Sequence, residues 1–182
     1  MKYLIYIAIL GFVTWIVSEL IEIVEGGYNS TVYYLTSVYH IFAGFGIWGL
    51  HLLQSQKKNT ISLISVVLIS LTYFSLGYFP IQVMNAGLSI SEFIIQNPLY
   101  KIPGIISLIG FVLFGYAIIR TKYFPNWTGL VLIFGTIIYA ISMALEFQIV
   151  VNINNIILSG TIIYMCFYGL KKIKISTNNR YN

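Results

Sequence analysis

The side chains that could carry chemistry are few in this sequence, and most of them fall inside apolar stretches. The chain has five acidic residues, all of them glutamates, and two histidines. Glu19 and Glu22 lie near the end of an apolar run over 3–24, and His40 and His51 lie in a second apolar run over 32–53. An ionisable group inside a membrane segment is costly, so it usually faces the protein interior and is a candidate for function. These four residues are therefore the first candidates for binding or catalysis.

Carboxylate and imidazole groups are suitable ligands for a divalent cation. The sequence has neither a His-Glu-x-x-His motif nor the Glu-x-x-His pair typical of di-metal helix bundles. We therefore assign no metal and no cofactor. The alternative is that the carboxylates lie near lipid headgroups and that His40 bonds to a neighbour. Haem held by two histidines would need a second chain, because His40 and His51 lie on one predicted helix.

A hydrolase would need a nucleophile beside a base. Ser18, Ser37 or Ser142 could meet His40, but the sequence contains no Gly-x-Ser-x-Gly elbow. We keep an intramembrane enzyme that uses His40 and the glutamates as an alternative and favour a non-enzymatic protein.

The composition indicates a chain whose main solvent is lipid. Only 8% of the 182 residues are charged and 58% are hydrophobic, whereas soluble domains have about 25% charged residues. The net charge is +5, but the basic residues lie in short segments between apolar runs, so we expect no nucleic-acid partner. The single cysteine, Cys166, excludes a disulfide within the chain.

Apolar runs long enough to cross a bilayer, which takes about 20 residues, occur six times. Because lipid leaves no partner for free backbone groups, each run should be a helix. The sequence thus predicts an all-α, polytopic membrane protein with six transmembrane helices in one bundle, a single domain over 1–175, and a polar cytoplasmic tail over 176–182. Pro80 should end the third helix, and Asn126 should cap the fifth. The runs are 3–24, 32–53, 60–79, 102–120, 128–148 and 153–170.

The basic residues predict the orientation of these helices. In a six-span arrangement only Lys101 falls on one side of the membrane, and an excess of Lys and Arg marks the cytoplasmic side. We therefore expect both termini to be cytoplasmic and the protein to lie in the cell membrane. The residues on the cytoplasmic side are Lys2, Lys57, Lys58, Arg120, Lys122, Lys171, Lys172, Lys174 and Arg180.

The longest connection, over 79–103, has the signature of a short helix. Ser89 and Glu92 stand three apart ahead of an apolar run, as in a capping box. We expect a helix at about 90–96 that lies on the outer membrane surface between helices 3 and 4. Its alternative role is that of a lid over an outer cavity.

All five glutamates fall in the outer half of the predicted membrane protein, and acidic residues contribute little to orientation. Polar residues spaced three and four apart share one face of a helix, and such faces occur toward the outer ends of helices one, two, five and six. We expect these faces to enclose an outward-facing polar cavity, with Glu19 near His40. The predicted lining is Glu19, Glu22, His40, Tyr139, Ser142, Glu146, Asn155 and Ser159.

The outer position of the polar groups favours a protein that binds a small solute or cation, as a transporter, a transporter subunit or a sensor. Its partners would then be the lipid bilayer and a small-molecule or cation ligand. The alternative is an accessory or structural subunit of a larger membrane complex, in which the glutamates meet a partner subunit or a second copy of the chain.

Overall fold

The computed structural model describes residues 1–54 and 59–178, and this part of the chain is all-helical, as the sequence predicts. Seven α-helices follow one another, and a short 3-10 turn at Pro98–Tyr100 leads into the fifth. Within the described ranges there is no strand. The helices are α1 (Lys2–Glu25), α2 (Ser30–Gln54), α3 (Thr60–Ala86), α4 (Ile90–Gln96), α5 (Lys101–Thr121), α6 (Asn126–Ala144) and α7 (Gln148–Asn178).

Five of these helices are long and apolar enough to cross a membrane: α1, α3, α5 with its preceding turn, α6, and α7 as far as Ile175. Helix α2 has 25 residues but is not apolar enough to be counted with these five. Large apolar side chains stay exposed along the long helices, among them Leu10, Leu71 and Phe134. Exposed apolar surface on this scale suits contact with lipid. The chain is therefore a multi-pass integral membrane protein.

The long helices pack in chain order, and the packing closes on itself. Helix α2 lies between α1 and α3, α5 follows α3, α6 follows α5, and α7 lies between α6 and α1. At one end, Gln148 at the start of α7 bonds to Glu22 near the end of α1. At the other end, Lys172 donates to the Tyr123 carbonyl oxygen at 2.8 Å. We call these the acidic end and the basic end, after Glu22 and Lys172.

Small residues bring neighbouring helices into close contact. A Cβ atom placed on Gly46 of α2 would lie 2.6 Å from the Cβ atom of Ala8 on α1. A Cβ atom on Gly115 of α5 would lie 2.6 Å from the carbonyl oxygen of Gly129 on α6. Contacts this short leave room for a hydrogen atom only, so these glycines set the distance between the helix axes.

Several helix boundaries differ from those expected. Pro80 does not end the third helix, because α3 continues through it to Ala86 and is capped by Gly87, whose φ is 64°. Pro80 itself is buried. Proline has no backbone N–H, so it removes one hydrogen bond from the helix. Packing against neighbouring helices on both sides can compensate for the loss of that bond. Asn126 is the first residue of α6 and not its cap, since the cap position is taken by Pro125.

The boundary between the last two long helices also differs from the one expected from the sequence. Helix α6 ends at Ala144, and α7 begins at Gln148, five residues before the expected start. Asn152 therefore lies inside α7 and does not break it. Asparagine disfavours helices when its amide bonds to its own backbone, but Asn152 accepts a bond from the Gln148 side chain at 3.1 Å. The predicted tail from 176 begins inside α7, which continues to Asn178. Lys57, Lys58 and Arg180 lie outside the described residues.

Helix α4 occupies the range in which the capping box predicts a short helix. The Ser89 hydroxyl accepts from the Glu92 amide, and the Glu92 carboxylate accepts from the Ser89 hydroxyl and amide. These hydrogen bonds from Ser89 lower the pKa of Glu92 below its usual value. Phe93 packs with Tyr33 and Val83, and this contact holds α4 against the acidic end of the helix bundle.

Candidate functional site

Glu19 is a buried carboxylate on the face of α1 that meets α7. Only 5% of its surface is exposed. Its Oε1 atom accepts hydrogen bonds from the Trp15 indole and from the Asn155 amide, the latter at 2.9 Å. Its Oε2 atom is buried without a hydrogen-bond partner. The inward face expected for Glu19 is therefore present, and one oxygen of the carboxylate is left unsatisfied.

Glu22 lies one turn further along the same face, toward the acidic end. It is 4% exposed and accepts a hydrogen bond from Gln148 at 2.8 Å. The side chains of Asn152 and Tyr28 lie beside it. Although 37% of Tyr28 is exposed, its hydroxyl is withdrawn from solvent next to Glu22, and both effects raise the pKa of Tyr28 well above its usual value.

Four polar atoms at this junction are buried and have no hydrogen-bond partner. They are Glu19 Oε2, Asn155 Oδ1, Ser159 Oγ and Asn152 Nδ2, and we call them the orphan atoms. More than nine in ten buried polar groups in proteins are paired, so a group of orphans calls for an explanation such as a bound ion or ligand. Asn152, Asn155 and Ser159 lie three and four residues apart and so share one face of α7.

In the described part of the chain, three side chains influence the charge of the Glu19 carboxylate: Asn155, Glu22 and Trp15. None of them is positively charged. The nearby Glu22 carboxylate repels a charge on Glu19. A buried charge without a partner is strongly unfavourable. The junction is therefore short of positive charge, and a cation or a proton would complete it.

A layer of aromatic side chains connects this junction to the other helices. The Trp15 ring stacks on Tyr39 of α2, with ring centroids 4.0 Å apart. The Tyr39 hydroxyl donates to the Tyr73 hydroxyl of α3 at 2.5 Å. Tyr139 of α6 lies close enough to Glu19 and Glu22 to interact with their charges. Four helices, α1, α2, α3 and α6, thus contribute aromatic side chains to one internal layer beside the two carboxylates.

His40 does not pair with Glu19, contrary to the expectation from the sequence. Its Nδ1 atom donates to the Thr36 carbonyl oxygen at 2.7 Å, and its ring contacts Tyr39 and Tyr73. Trp15 takes the place expected for His40, since it donates to Glu19 and its ring covers Tyr39. His40 therefore borders the layer through the two tyrosines and does not contact a carboxylate.

The eight predicted lining residues divide into two groups. Glu19, Glu22, Asn155, Ser159 and Tyr139 are brought to the α1–α7 junction, and His40 lies at its border. Ser142 is 4% exposed, with its carbonyl oxygen bonded to the Phe147 amide. Glu146 lies in the connection between α6 and α7, with φ at 60° and its side chain exposed. Glu146 therefore lies outside the buried α1–α7 junction.

The predicted lining left out several residues that belong to the junction or its aromatic layer. They are Trp15, Tyr28, Tyr39, Tyr73, Gln148 and Asn152. For Gln148 a signal was available. It stands four residues before Asn152, so it extends the polar face of α7 by one turn once the helix is started early enough. The tyrosines gave no such signal, because the chain has 15 of them and several, such as Tyr3, Tyr34 and Tyr78, are exposed on other surfaces.

The second histidine belongs to a separate polar group toward the basic end. His51 Nδ1 lies 2.8 Å from the Ser62 hydroxyl oxygen. Gln54 accepts from Thr121 at 3.2 Å, and its own amide nitrogen is buried without a partner. This group contains no carboxylate in the described residues, so the α1–α7 junction is the stronger candidate site.

Comparison of the chain with models of known protein families, with curated proteins and with solved structures finds no match.

Proposed function

We propose that this protein binds a small cation or a small solute at the α1–α7 junction and acts as a transporter, a transporter subunit or a sensor. The observation that carries this proposal is that two buried glutamates lie among orphan atoms and, within the described residues, have no basic partner. Buried polar groups without a partner are unfavourable, whereas a ligand that supplied positive charge would satisfy them.

The position of the carboxylates favours ligand binding over contact with a partner subunit. Glu19 and Glu22 face the interior between α1 and α7 and not an outer flank of the protein. Gln148 and Tyr28, which adjoin the carboxylates, are both partly open to the surface at the acidic end. A ligand would therefore enter from that end.

We propose further that all six long helices cross the membrane, with α4 on its outer surface and both termini in the cytoplasm. Helix α2 supports this because it packs along both α1 and α3 and matches their length. The described basic residues at helix ends support it too: Lys2, Arg120, Lys122, Lys171, Lys172 and Lys174 belong to the basic end, and Lys101 begins α5 at the other. An excess of Lys and Arg marks the cytoplasmic face.

The orientation can be tested by labelling single cysteines in whole cells. Cys166 is fully buried, so a C166A background removes it as a source of signal. Ser91→Cys on α4 should react with a membrane-impermeant thiol reagent, because its exposed side chain would lie outside the cell. Lys174→Cys, which is also exposed on α7, should react only after the cells are opened. The reverse pattern would overturn the orientation.

Ligand binding can be tested on purified protein in detergent. We expect at least one member of a panel of NaCl, KCl, MgCl₂, methylamine and ethanolamine to raise the unfolding temperature, since a ligand stabilises the state that it binds. Choline chloride at equal ionic strength is the control. Native mass spectrometry would identify a ligand that is retained through purification. If no panel member stabilises the protein and nothing is retained, the proposal of a cation or solute site fails.

A further inference from the structure

We infer that the three oxygens among the orphan atoms form a site for one dehydrated alkali cation, for which Na⁺ is the probe. Its ligands would be Glu19 Oε2, Asn155 Oδ1 and Ser159 Oγ. The inference rests on the proposed function and specifies the ligand of that same site.

The chemistry of the orphan atoms points to a hard cation. Three of the four are oxygens, one each from a carboxylate, an amide and a hydroxyl. Hard cations prefer oxygen ligands of these types. The orientation of the Asn155 amide supports this assignment. Its nitrogen donates to Glu19 Oε1, so its oxygen is left free and needs a partner that is positively charged or carries a proton.

The charge at the site points to a monovalent ion. Of the two carboxylates, Glu22 is already bonded to Gln148 and lies beside Tyr28 and Asn152. Glu19 keeps one oxygen without a hydrogen-bond partner, so it is the one carboxylate of the two that could contact an ion directly. In the described residues no group of three His, Cys, Asp or Glu side chains could hold a metal ion. A divalent ion would therefore be left with excess positive charge, whereas a monovalent ion would be balanced.

The packing of the site disfavours a larger organic cation. Each of the three oxygens has less than 1 Å² of exposed surface, so none of them borders a space that would admit an ammonium group with its substituents. An aromatic cage for such a group needs open ring faces. Here Trp15 and Tyr39 stack on each other and cover one face each.

A proton satisfies fewer of the orphan atoms than an ion does. A proton on Glu19 Oε2 would allow one hydrogen bond, to either Asn155 Oδ1 or Ser159 Oγ. The Ser159 hydroxyl is also a donor, but it bonds to neither of the other two oxygens in the structure, so one oxygen would stay unpaired. An ion among the three oxygens satisfies all of them together. It would also connect the first long helix to the last, so binding and release would tighten and loosen the contact between α1 and α7.

The test measures unfolding of the purified protein as Na⁺ replaces choline at constant ionic strength, at about pH 6 and about pH 8. We expect Na⁺ to raise the unfolding temperature, and to do so more at the higher pH, where fewer protons compete for Glu19. Ser159→Ala should weaken the apparent affinity for Na⁺ by about tenfold. Without Na⁺ this variant should be as stable as the parent or more so, because it removes an unpaired buried group.

Thr161→Val is the matched control. Thr161 is also buried on α7, at 5% exposure, but its hydroxyl bonds to the Ile157 carbonyl oxygen of its own helix. This variant should keep the parent response to Na⁺. The comparison separates a ligand of the ion from a hydroxyl that only packs in the helix.

Three results would overturn the inference. The first is an unfolding temperature that changes with pH but not with Na⁺, which would identify a proton as the only partner of Glu19. The second is an equal response of Ser159→Ala and the parent to Na⁺. The third is stabilisation by an amine or by Mg²⁺ but not by Na⁺. That last result would contradict this inference but not the proposed function. If no cation or solute in the panel raised the unfolding temperature, both the inference and the proposed function would be contradicted.

Discussion

Replacing Glu19 by glutamine should abolish cation-dependent stabilisation while leaving the protein folded. The substitution keeps the shape of the side chain, and its amide oxygen can still accept from Trp15 and Asn155. It removes the charge, and loss of one partner from a buried charge pair costs roughly 2 kcal/mol or more, so binding should weaken about 30-fold or more. Without ligand the variant should be at least as stable as the parent, because no unpaired charge remains to be buried.

The measurement is the unfolding temperature of purified Glu19→Gln, with and without the cation that stabilises the parent. Glu25→Gln is the matched control, because Glu25 lies on the same helix, is exposed, and bonds to Asn29 outside the junction. The control should respond to the cation as the parent does. A Glu19→Gln protein that retains the full response would remove Glu19 from the site and leave the junction without its main source of charge.

Replacing Gly46 by alanine should destabilise the protein strongly. The added methyl group would meet both the backbone and the Cβ atom of Ala8 on α1. Neither can move unless the two helices separate, and overpacking of this kind typically costs about 1–3 kcal/mol. Helix α1 also carries Glu19 and Glu22, so a shift of α1 should weaken ligand binding as well. The measurement is the unfolding temperature together with the yield of folded protein.

Gly160→Ala provides the comparison for Gly46→Ala. Gly160 lies within α7, is exposed, and a Cβ atom added there would meet nothing within 4 Å. Since alanine favours a helix by about 1 kcal/mol relative to glycine, this variant should be neutral or slightly stabilised. If both variants behaved alike, the close contact between α1 and α2 would not be essential to the fold.

The general architecture could be predicted because it depends on composition and local pattern. A chain with 8% charged residues cannot cover itself with polar surface, and lipid restricts long apolar runs to helices. The capping box at Ser89 and Glu92 acts within four residues, so it indicated α4 without knowledge of the rest. The buried position of Glu19 also followed from its depth in an apolar run.

Helix boundaries were less predictable because packing outweighs local preference. Pro80 and Asn152 are both unfavourable inside a helix when considered alone. In the structure α3 continues through Pro80, which is buried against its neighbours, and the Asn152 side chain bonds to Gln148 instead of to its own backbone. The energies that decide such cases come from neighbouring helices and side chains, which a local pattern does not contain.

Local sequence patterns were enough to predict that long helices form, which of their faces are polar, and that ionisable groups lie in the interior. Which of those groups contact one another depends on how the helices pack. Glu19 bonds to Asn155 and Glu22 to Gln148, across separations of 136 and 126 residues, and Trp15 takes the place expected for His40. Helical periodicity indicates which face of α1 is polar, but the rotation and axial position of α7 against that face depend on packing around all the long helices. That packing, through contacts as close as Gly46 on Ala8, sets the carboxylates beside the orphan atoms.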